Sequence, residues 1–366
     1  MLIDRRVLSA FSWRLAASAA LLASLSAVVI YSTTGQYSSL LRRSLYFKQT
    51  MWGLIGVGAM ILLCSLHYRT IARLAYQLYA AILACLLLVA LIGRSGFGAQ
   101  RWLSIGPFAF QPSEFMKLAL IILLARYFED HKEDLEAPWI FVLPIILTLL
   151  PVALVLRQPD LGTAIVLLAT SISILVLMGL KIRYFIYLAV AASAVAPVLW
   201  SFLRDYQKNR FLVFFDPSLD PMGAGYHVAQ SKIAVGSGGL VGKGWMAASQ
   251  SQLNFLPASH TDFVFAGFAE QWGFIGSLAL LLLYAYLISK GLRLARDARD
   301  MFTMVTSFGV VSMMALQVVI NIGMVTGIMP VVGIPLPLLS YGGSSMVMNM
   351  LAVGLLLNIQ MHRYMY

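Results

Sequence analysis

Four carboxylates lie in or beside long apolar segments of the chain. They are Glu114, Asp160, Asp262 and Glu270. A charged side chain at the centre of a membrane helix costs about 2.5 to 3.5 kcal/mol on insertion scales. Each carboxylate therefore needs a partner, a water-filled cavity or a raised pKa. We take these four residues as the first candidates for chemistry.

Two of the four have an equally simple structural explanation. Glu114 and Lys117 are three residues apart on one helical face, so the pair can neutralise itself. Intramembrane charge pairs also line substrate paths, and the sequence favours neither interpretation of the pair. Asp160 follows Pro159 in the segment RQPDLGT and can cap the helix that is predicted to begin at Leu161. Taken alone, Asp160 is best explained as a cap.

The other two carboxylates share one predicted helix. Asp262, in SHTDFVF, lies where a long polar loop becomes helical and can also be an N-cap. His260 is more simply a polar loop residue than a catalytic base. Glu270, two turns further along, is expected to serve packing through a hydrogen bond.

Two glycine-rich segments could shape a site. The run GSGGLVGKG at 236–244 fails the P-loop pattern at Ser237 and Gly244, so a plain glycine turn is favoured over an anion cradle. The segment GIPLPLLSYGGSS at 333–345 interrupts otherwise helical sequence. Broken backbone at that depth is tolerated only where protein or a water-filled cavity covers it, which predicts a cavity wall or a hinge.

The composition shows what must position these residues. Of 366 residues, 60% are hydrophobic and 11% are charged, which excludes a water-soluble enzyme. The net charge of +11 points to an anionic lipid surface or a lipid-linked anionic substrate rather than to nucleic acid. Cys64 and Cys85 lie in apolar runs, and we assign them no chemistry.

Apolar stretches of about 20 residues predict an all-α polytopic membrane protein with about ten transmembrane helices. The span at 112–128 is weaker, because Glu114 and Lys117 lie in its first turns. The other predicted spans are 15–31, 49–68, 74–93, 138–156, 161–180, 184–203, 263–289 and the two halves of 301–362 around the break. We expect no cleaved signal peptide and a single membrane domain over 1–366.

The distribution of Lys and Arg predicts that both termini are cytoplasmic. This orientation places the connections at 94–113, 157–160 and 326–345 on the outer face. A large loop at 204–262, between the seventh and eighth helices, lies on the same face. Because the unusual polar residues collect there, the protein is expected to act on something exposed to that side.

Six ordered motifs carry a resemblance that covers essentially the whole chain. They are RWLSIGPFAFQPSEFMKLA (101–119), RQPDLGTA (157–164), NRFLVFFDP (209–217), the glycine segment, FLPASHTDFVFAGFAEQWG (255–273) and PVVGIPLPLLSYGGSS (330–345). Together they resemble the SEDS family of bacterial shape, elongation, division and sporulation proteins. The short N-terminal tail and the SQLNFLP segment are closer to the RodA branch, which serves elongation, than to the FtsW branch, which serves division. One match is looser, since Ala258 stands where many relatives have an acidic or polar residue.

The resemblance implies a peptidoglycan glycosyltransferase in the bacterial cytoplasmic (inner) membrane. Such an enzyme polymerises lipid II into a growing glycan strand on the outer face of the membrane, together with a class B penicillin-binding protein that supplies transpeptidase activity. The family's essential acid corresponds to Asp262, and its supporting polar residues correspond to Glu114, Lys117 and Asp160. No nucleic-acid partner is expected.

The chemistry assigns expected roles to several side chains. Asp262 would act as general base on the acceptor hydroxyl, and partial desolvation would strengthen it. The outer cations Arg101, Lys117, Arg210 and Lys243 could stabilise the pyrophosphate that leaves. Ser340, Gly342 and Gly343 would contribute from the last outer connection. A divalent cation, Mg²⁺ or Mn²⁺, held by Glu114, Asp160 or Asp262 is conceivable, although no spacing demands one.

Two other classes of function explain part of the pattern. A lipid II flippase or transporter would also have ten spans, intramembrane charges and broken helices, but no inverted repeat is evident. A non-catalytic scaffold of the cell-wall synthesis complex would leave the cost of Asp262 and of the Glu114–Lys117 pair unexplained.

Overall fold

The computed structural model describes residues 11–34, 39–96, 99–105, 108–181, 183–184, 208, 212–213, 216, 223–253, 255 and 260–363. Its helices are α1 (Trp13–Thr33), α2 (Ser39–Ser65), α3 (Tyr68–Arg73), α4 (Ala75–Ile92), α5 (Pro112–Asp130), α6 (Val142–Arg157), α7 (Leu161–Leu177), α8 (Ala224–Ser237), α9 (Ser249–Gln252), α10 (Val264–Arg296), α11 (Met301–Thr326) and α12 (Gly343–His362). A 3₁₀ turn, Pro138–Phe141, precedes α6. Nine of the predicted spans match a helix, and the span at 184–203 lies outside the described residues except for Tyr184.

The fold is that of a helical polytopic membrane protein. In the described part of the chain, 6 helices are long and apolar enough to cross a membrane: α1, α2, α6 with its 3₁₀ turn, α10, α11 and α12. Two further apolar helices, α4 and α7, are shorter. Helix α5, the weaker predicted span, is buried along most of its length. A helix that is buried on nearly every side lies at the centre of a bundle, and α5 packs against α4, α7 and α11.

Two predicted boundaries were wrong. Helix α2 begins at Ser39 rather than at residue 49, so Arg42, Arg43 and Lys48 lie within it. Helix α10 continues to Arg296, beyond the predicted end at 289. The search for uncharged stretches located the apolar part of each helix, whereas Lys and Arg are good helix formers that extend both helices past that part.

A small antiparallel sheet forms in the outer connection at 94–113 and was not predicted. Its strands are β1 (Arg94–Gly96), β2 (Ala99–Ile105) and β3 (Phe108–Phe110), in the order β1–β2–β3. The pairing sets Leu103 opposite Phe110. Strand β3 leads directly into α5 and β2 carries Arg101, so the sheet positions both ends of the RWLSIGPFAFQPSEF motif.

Close helix packing fixes the interior. Helices α2 and α12 approach so closely that a Cβ on Gly56 would lie 2.8 Å from Met350 Cγ, and one on Gly354 would lie 3.1 Å from Met60 Cα. Small residues permit this approach between membrane helices. The predicted outer loop at 204–262 contains α8 and α9, and the buried Ser231 hydroxyl on α8 donates to Val325 O on α11 at 2.8 Å. Part of that loop is therefore docked on the helices.

Candidate functional site

The last outer connection holds the residues that precede Asp262. Ser340 Oγ donates to Thr261 O at 2.7 Å and accepts from Leu336 N at 2.8 Å. The Tyr341 backbone amide donates to His260 O at 2.8 Å. The main chain entering α10 is thereby tied to the connection between α11 and α12, so other parts of the protein cover this broken backbone. Its role as a cavity wall or a hinge stays a prediction.

Asn321 on α11 fixes Asp262 itself. Its Nδ2 atom donates to Asp262 O at 2.9 Å and to Ile334 O at 2.7 Å. Asn321 is fully buried, whereas Asp262 is half-buried. The backbone that carries the Asp262 carboxylate is thus held by α11 and, through Asn321, by the connection between α11 and α12. Charge alone did not identify Asn321 as a site residue. The sequence feature that could have identified it is an amide side chain inside an uncharged apolar helix.

Gln111, immediately before α5, joins the same connection to Asp160. Its backbone amide donates to Ser344 Oγ at 3.1 Å, and its Nε2 donates to Asp160 Oδ2 at 3.3 Å. On the other side, a Cβ on Gly162 would lie 2.7 Å from Val332 O. The start of α5, the start of α7 and the last outer connection therefore meet, as the placement of Glu114, Asp160 and 333–345 on one face predicted.

Asp160 caps α7. Its Oδ1 accepts from Thr163 N at 3.3 Å and its Oδ2 accepts from Thr163 Oγ1 at 2.9 Å. Arg101 approaches from β2, with Nη1 at 3.9 Å from Asp160 Oδ1, Nε donating to Gln158 O at 3.2 Å and a further bond to Pro159 O. The structure supports the capping interpretation and brings one predicted cation to the same loop.

The Glu114–Lys117 pair is enclosed. Lys117 Nζ donates to Glu114 Oε1 at 2.9 Å, and both residues are 3% exposed. The second carboxylate oxygen, Glu114 Oε2, is buried, and none of the residues that the structure describes donates a hydrogen bond to it. An unpaired buried carboxylate oxygen is costly, so this atom is a candidate acceptor for a substrate hydroxyl or for water.

Lys243 and Glu270 form a second internal pair. Lys243 Nζ lies 2.7 Å from Glu270 Oε1, which also accepts from Ser249 Oγ at 3.1 Å and Gln250 N at 3.2 Å. Glu270 thus serves packing, as expected. Lys243, predicted as a cation for pyrophosphate, pairs with this fully buried carboxylate while its own side chain stays 31% exposed.

The glycine segment supplies hydrogen-bond partners for the backbone at a break in α10. Gly273 has φ 64° and ψ −162°, which interrupts the helix. The amides of Lys243 and Gly244 donate to Glu270 O and Gln271 O at 3.0 and 3.1 Å, and Phe274 N donates to Gly239 O at 2.9 Å. These amides are used within the protein, so the glycine-turn interpretation is favoured over an anion cradle.

Gly342 and Gly343 have different roles. Gly342 N donates to Gln49 Oε1 at 3.4 Å, while Gln49 Nε2 reaches Ser340 O at 3.3 Å. Gly343 starts α12 where a Cβ would overlap the indole of Trp52. Both predicted glycines therefore allow the connection between α11 and α12 to pack against α2. The remaining predicted cation, Arg210, lies outside the described residues.

His260 is partly buried beside the last outer connection. Burial lowers the pKa of its imidazole below the ordinary value of 6.5, which favours the neutral form. Its ring contacts Tyr341, with centroids 5.6 Å apart. A neutral imidazole packed on Tyr341 suits a polar loop residue and a general base alike, so the loop role of His260 stays a prediction.

The predicted metal ligands do not suit a shared ion. In the part of the chain that the structure describes, no group of three or more His, Cys, Asp or Glu residues converges. Glu114 Oε1 accepts from an ammonium, and both Asp160 oxygens accept from amide or hydroxyl donors. These donors compete with a hard cation for Glu114 Oε1 and for both Asp160 oxygens.

Comparison with known proteins identifies the family. The profile of the FtsW/RodA/SpoVE proteins, described as "Cell cycle protein", matches residues 12–365. The chain belongs to that family. Peptidoglycan glycosyltransferase MrdB of Escherichia coli (strain K12) is 43% identical to this family member over 343 residues, covering 93% of this chain and 90% of that protein. Stage V sporulation protein E of Bacillus subtilis (strain 168) is 35% identical over 347 residues, covering 93% and 94%.

Solved structures of family members show the same fold. The chain matches one described as "Structural coordination of polymerization and crosslinking by a peptidoglycan synthase complex" with a TM-score of 0.83 and 34% identity, covering 97% of this chain and 99% of that chain. The rod shape determining protein RodA of Thermus thermophilus matches with a TM-score of 0.73 and 32% identity, covering 97% and 98%. The predicted family and the predicted helical membrane fold are confirmed.

Proposed function

We propose that this protein is a peptidoglycan glycosyltransferase that polymerises lipid II at the outer face of the cytoplasmic membrane during cell elongation. The observation that carries the proposal is the similarity, at 43% identity over 93% of the chain, to a protein named peptidoglycan glycosyltransferase MrdB. The family profile, which matches residues 12–365, includes every element that positions Asp262, Asp160 and Glu114.

Asp262 is the proposed general base. The 4-hydroxyl of the acceptor N-acetylglucosamine loses its proton to the carboxylate while its oxygen bonds to C1 of the donor N-acetylmuramic acid. The bond from C1 to the lipid-linked pyrophosphate breaks, and undecaprenyl pyrophosphate leaves. A positioned base contributes about 10² to 10⁴ in rate. The hydrogen bonds to the carbonyls of His260, Thr261 and Asp262 support this role, because they fix the backbone that carries the base.

Arg101 is the best placed of the described cations to meet the leaving pyrophosphate. Lys117 is buried against Glu114 at 2.9 Å, and Lys243 neutralises Glu270 at 2.7 Å. Arg101 lies 3.9 Å from Asp160, and its side chain is 28% exposed. Lys243 is similarly exposed at 31%, so the length of the ion pair distinguishes the two cations. A partly exposed guanidinium with a loose ion pair can add a phosphate contact at a smaller cost than an ammonium held close to its carboxylate.

A class B penicillin-binding protein is the proposed partner. The support is indirect: the solved structure with a TM-score of 0.83 to this chain is described as a peptidoglycan synthase complex that coordinates polymerization and crosslinking. A polymerase of this kind makes glycan strands, and crosslinking them requires a transpeptidase. The active site would then face the periplasm or the cell exterior.

Polymerisation of lipid II by purified Asp262→Asn and Asp262→Ala proteins tests the proposal. Both variants are expected to lose about 10² or more of the rate while retaining the thermal stability of the parent protein. Asp134→Asn is the matched control, since Asp134 is an exposed aspartate in the 131–137 connection. Unchanged polymer yield from Asp262→Asn would refute the assignment of the base.

A flippase is the second candidate, and the break at Gly273 favours it, because transporters use discontinuous helices. Proteoliposomes with lipid II on one side distinguish the two functions. A polymerase makes strands from substrate already on the outer face. A flippase moves labelled lipid II across the bilayer and yields no polymer.

A further inference from the structure

A cavity of about 210 Å³ lies at the far end of α10 from Asp262. It forms where α10 ends, α11 begins and α12 ends, and Tyr68 and Arg69 of α3 complete it. The predicted orientation places this end of the bundle on the cytoplasmic side. The cavity shares no residue with the candidate site on the outer face.

Three arginines line this cavity, and they come from three separate segments. Arg69 belongs to α3, Arg299 to the turn between α10 and α11, and Arg363 follows α12. Positive residues at the inner ends of helices are ordinary topology signals. A topology signal requires no shared cavity, however, whereas these three arginines line the same one.

The aspartate in the cavity wall is engaged by the protein. Asp300 Oδ1 accepts from Thr303 N at 2.7 Å, which caps α11, and Oδ2 accepts from Tyr68 OH at 3.2 Å. Nearby, Asp297 lies 3.4 Å from both Arg296 and Arg363. The lining therefore combines three arginines and His362 with one aspartate.

The electrostatic field beside the cavity is positive, in agreement with the excess of basic residues in the lining. Burial lowers the pKa of His67, and the positive charges of His362, Arg69 and Arg73 lower it further. The His67 and His362 rings lie 4.7 Å apart. An anion bound in the cavity would oppose these charges and raise the pKa of His67.

We propose that this cavity binds the phosphate head group of an anionic membrane phospholipid. Guanidinium groups bind phosphate through paired hydrogen bonds, and basic pockets between helices on the cytoplasmic side suit lipid head groups. Leu294 and Ile359 also line the cavity and offer apolar contacts to the start of an acyl chain. A soluble phosphate would gain nothing from these two side chains.

Native mass spectrometry of the delipidated full chain with added phosphatidylglycerol or phosphatidylcholine tests the proposal. The parent protein is expected to bind phosphatidylglycerol preferentially. The double variant Arg69→Gln/Arg299→Gln is expected to bind it about fivefold more weakly for each arginine removed, since each basic residue near the surface contributes about 1 kcal/mol. Lys290→Gln/Arg293→Gln is the matched control, because these cations lie on the last turns of α10 outside the cavity lining.

Two further measurements keep the test decisive. Ala298→Phe fills the cavity without changing its charge and is expected to weaken binding as well. In NMR titrations, phosphatidylglycerol is expected to raise the pKa of His67, an effect that a purely structural arginine cluster would not produce. Equal binding by the cavity and control variants, or no preference for the anionic lipid, would overturn the proposal. Inorganic phosphate that binds as tightly as the lipid would identify a free-phosphate site instead.

Discussion

Asp160 illustrates how one carboxylate can combine a structural role with a place in the site. It caps α7 through Thr163 and also accepts from Gln111 Nε2, which ties α7 to the start of α5. The cap alone explains its burial. The approach of Arg101 adds a charge that a cap does not require.

Substitution of Asp160 should separate its two roles. Asp160→Ala is expected to lower the free energy of unfolding by about 1 kcal/mol, because the cap is lost. Asp160→Asn keeps a capping oxygen and should lose less, while removing the charge beside Arg101. Thermal unfolding of both variants measures the cap. A variant with asparagine that is as unstable as the one with alanine would contradict the capping role.

The Glu114–Lys117 pair should be strongly coupled. Breaking a buried pair leaves an uncompensated charge and costs about 3 to 5 kcal/mol. Lys117→Met and Glu114→Gln are each expected to destabilise the protein, and the double variant is expected to cost less than the sum. Unfolding free energies of the parent, the two single variants and the double variant complete the double-mutant cycle. Additive losses would show that the 2.9 Å contact carries no coupling.

At the scale of elements, the break in α10 is maintained by glycine at two sites. Gly273 adopts φ 64°, and a Cβ there would overlap Gly242 N. Gly242 itself has φ 86° and lies against Gln271 O. The Lys243–Glu270 pair and the backbone bonds around it then hold the glycine segment in the break.

Gly273→Ala should disrupt this arrangement. Alanine is strained at this φ, and its Cβ has no space, so we expect a loss of more than about 1 kcal/mol and lower polymer yield. Gly53→Ala is the control, because a Cβ at Gly53 meets nothing within 4 Å and alanine favours the helix. Thermal unfolding of the Gly273→Ala and Gly53→Ala proteins compares their stabilities. Equal stability of the two variants would show that the break does not depend on glycine.

At the scale of the whole molecule, the orientation in the membrane determines which compartment each end of the helix bundle faces. The candidate site and the arginine-lined cavity lie at opposite ends of α10, a helix of 33 residues. A proposed outer-face polymerase requires the first end to be external and the second to face the cytoplasm.

Cysteine labelling of intact cells tests the orientation. In a Cys64→Ala/Cys85→Ala background, a membrane-impermeant maleimide should label Leu240→Cys, which is 70% exposed in the glycine segment. Lys132→Cys, in the exposed connection after α5, should be labelled only after the membrane is opened. Labelling of Lys132→Cys in intact cells would reverse the proposed orientation.

Local sequence predicted most of the helices but only part of the site. Apolar length located nine of the spans, and the scarcity of charge singled out Glu114, Asp160 and Asp262 as candidates. The partners Asn321, Gln111 and Gln49 could not be identified this way, because a buried amide becomes informative only when its distant carbonyl or carboxylate is known. The role of Lys243 depended likewise on the break at Gly273, which no helical periodicity reveals.

The late position of the last outer connection also affects the order of biosynthesis. Ser340 and Tyr341 hold the chain at Thr261 and His260, and Ser344 holds Gln111. A ribosome makes Asp262, the proposed base, about 80 residues before it makes these residues. The nascent protein therefore cannot complete its candidate site until the connection that leads into α12 has been synthesised.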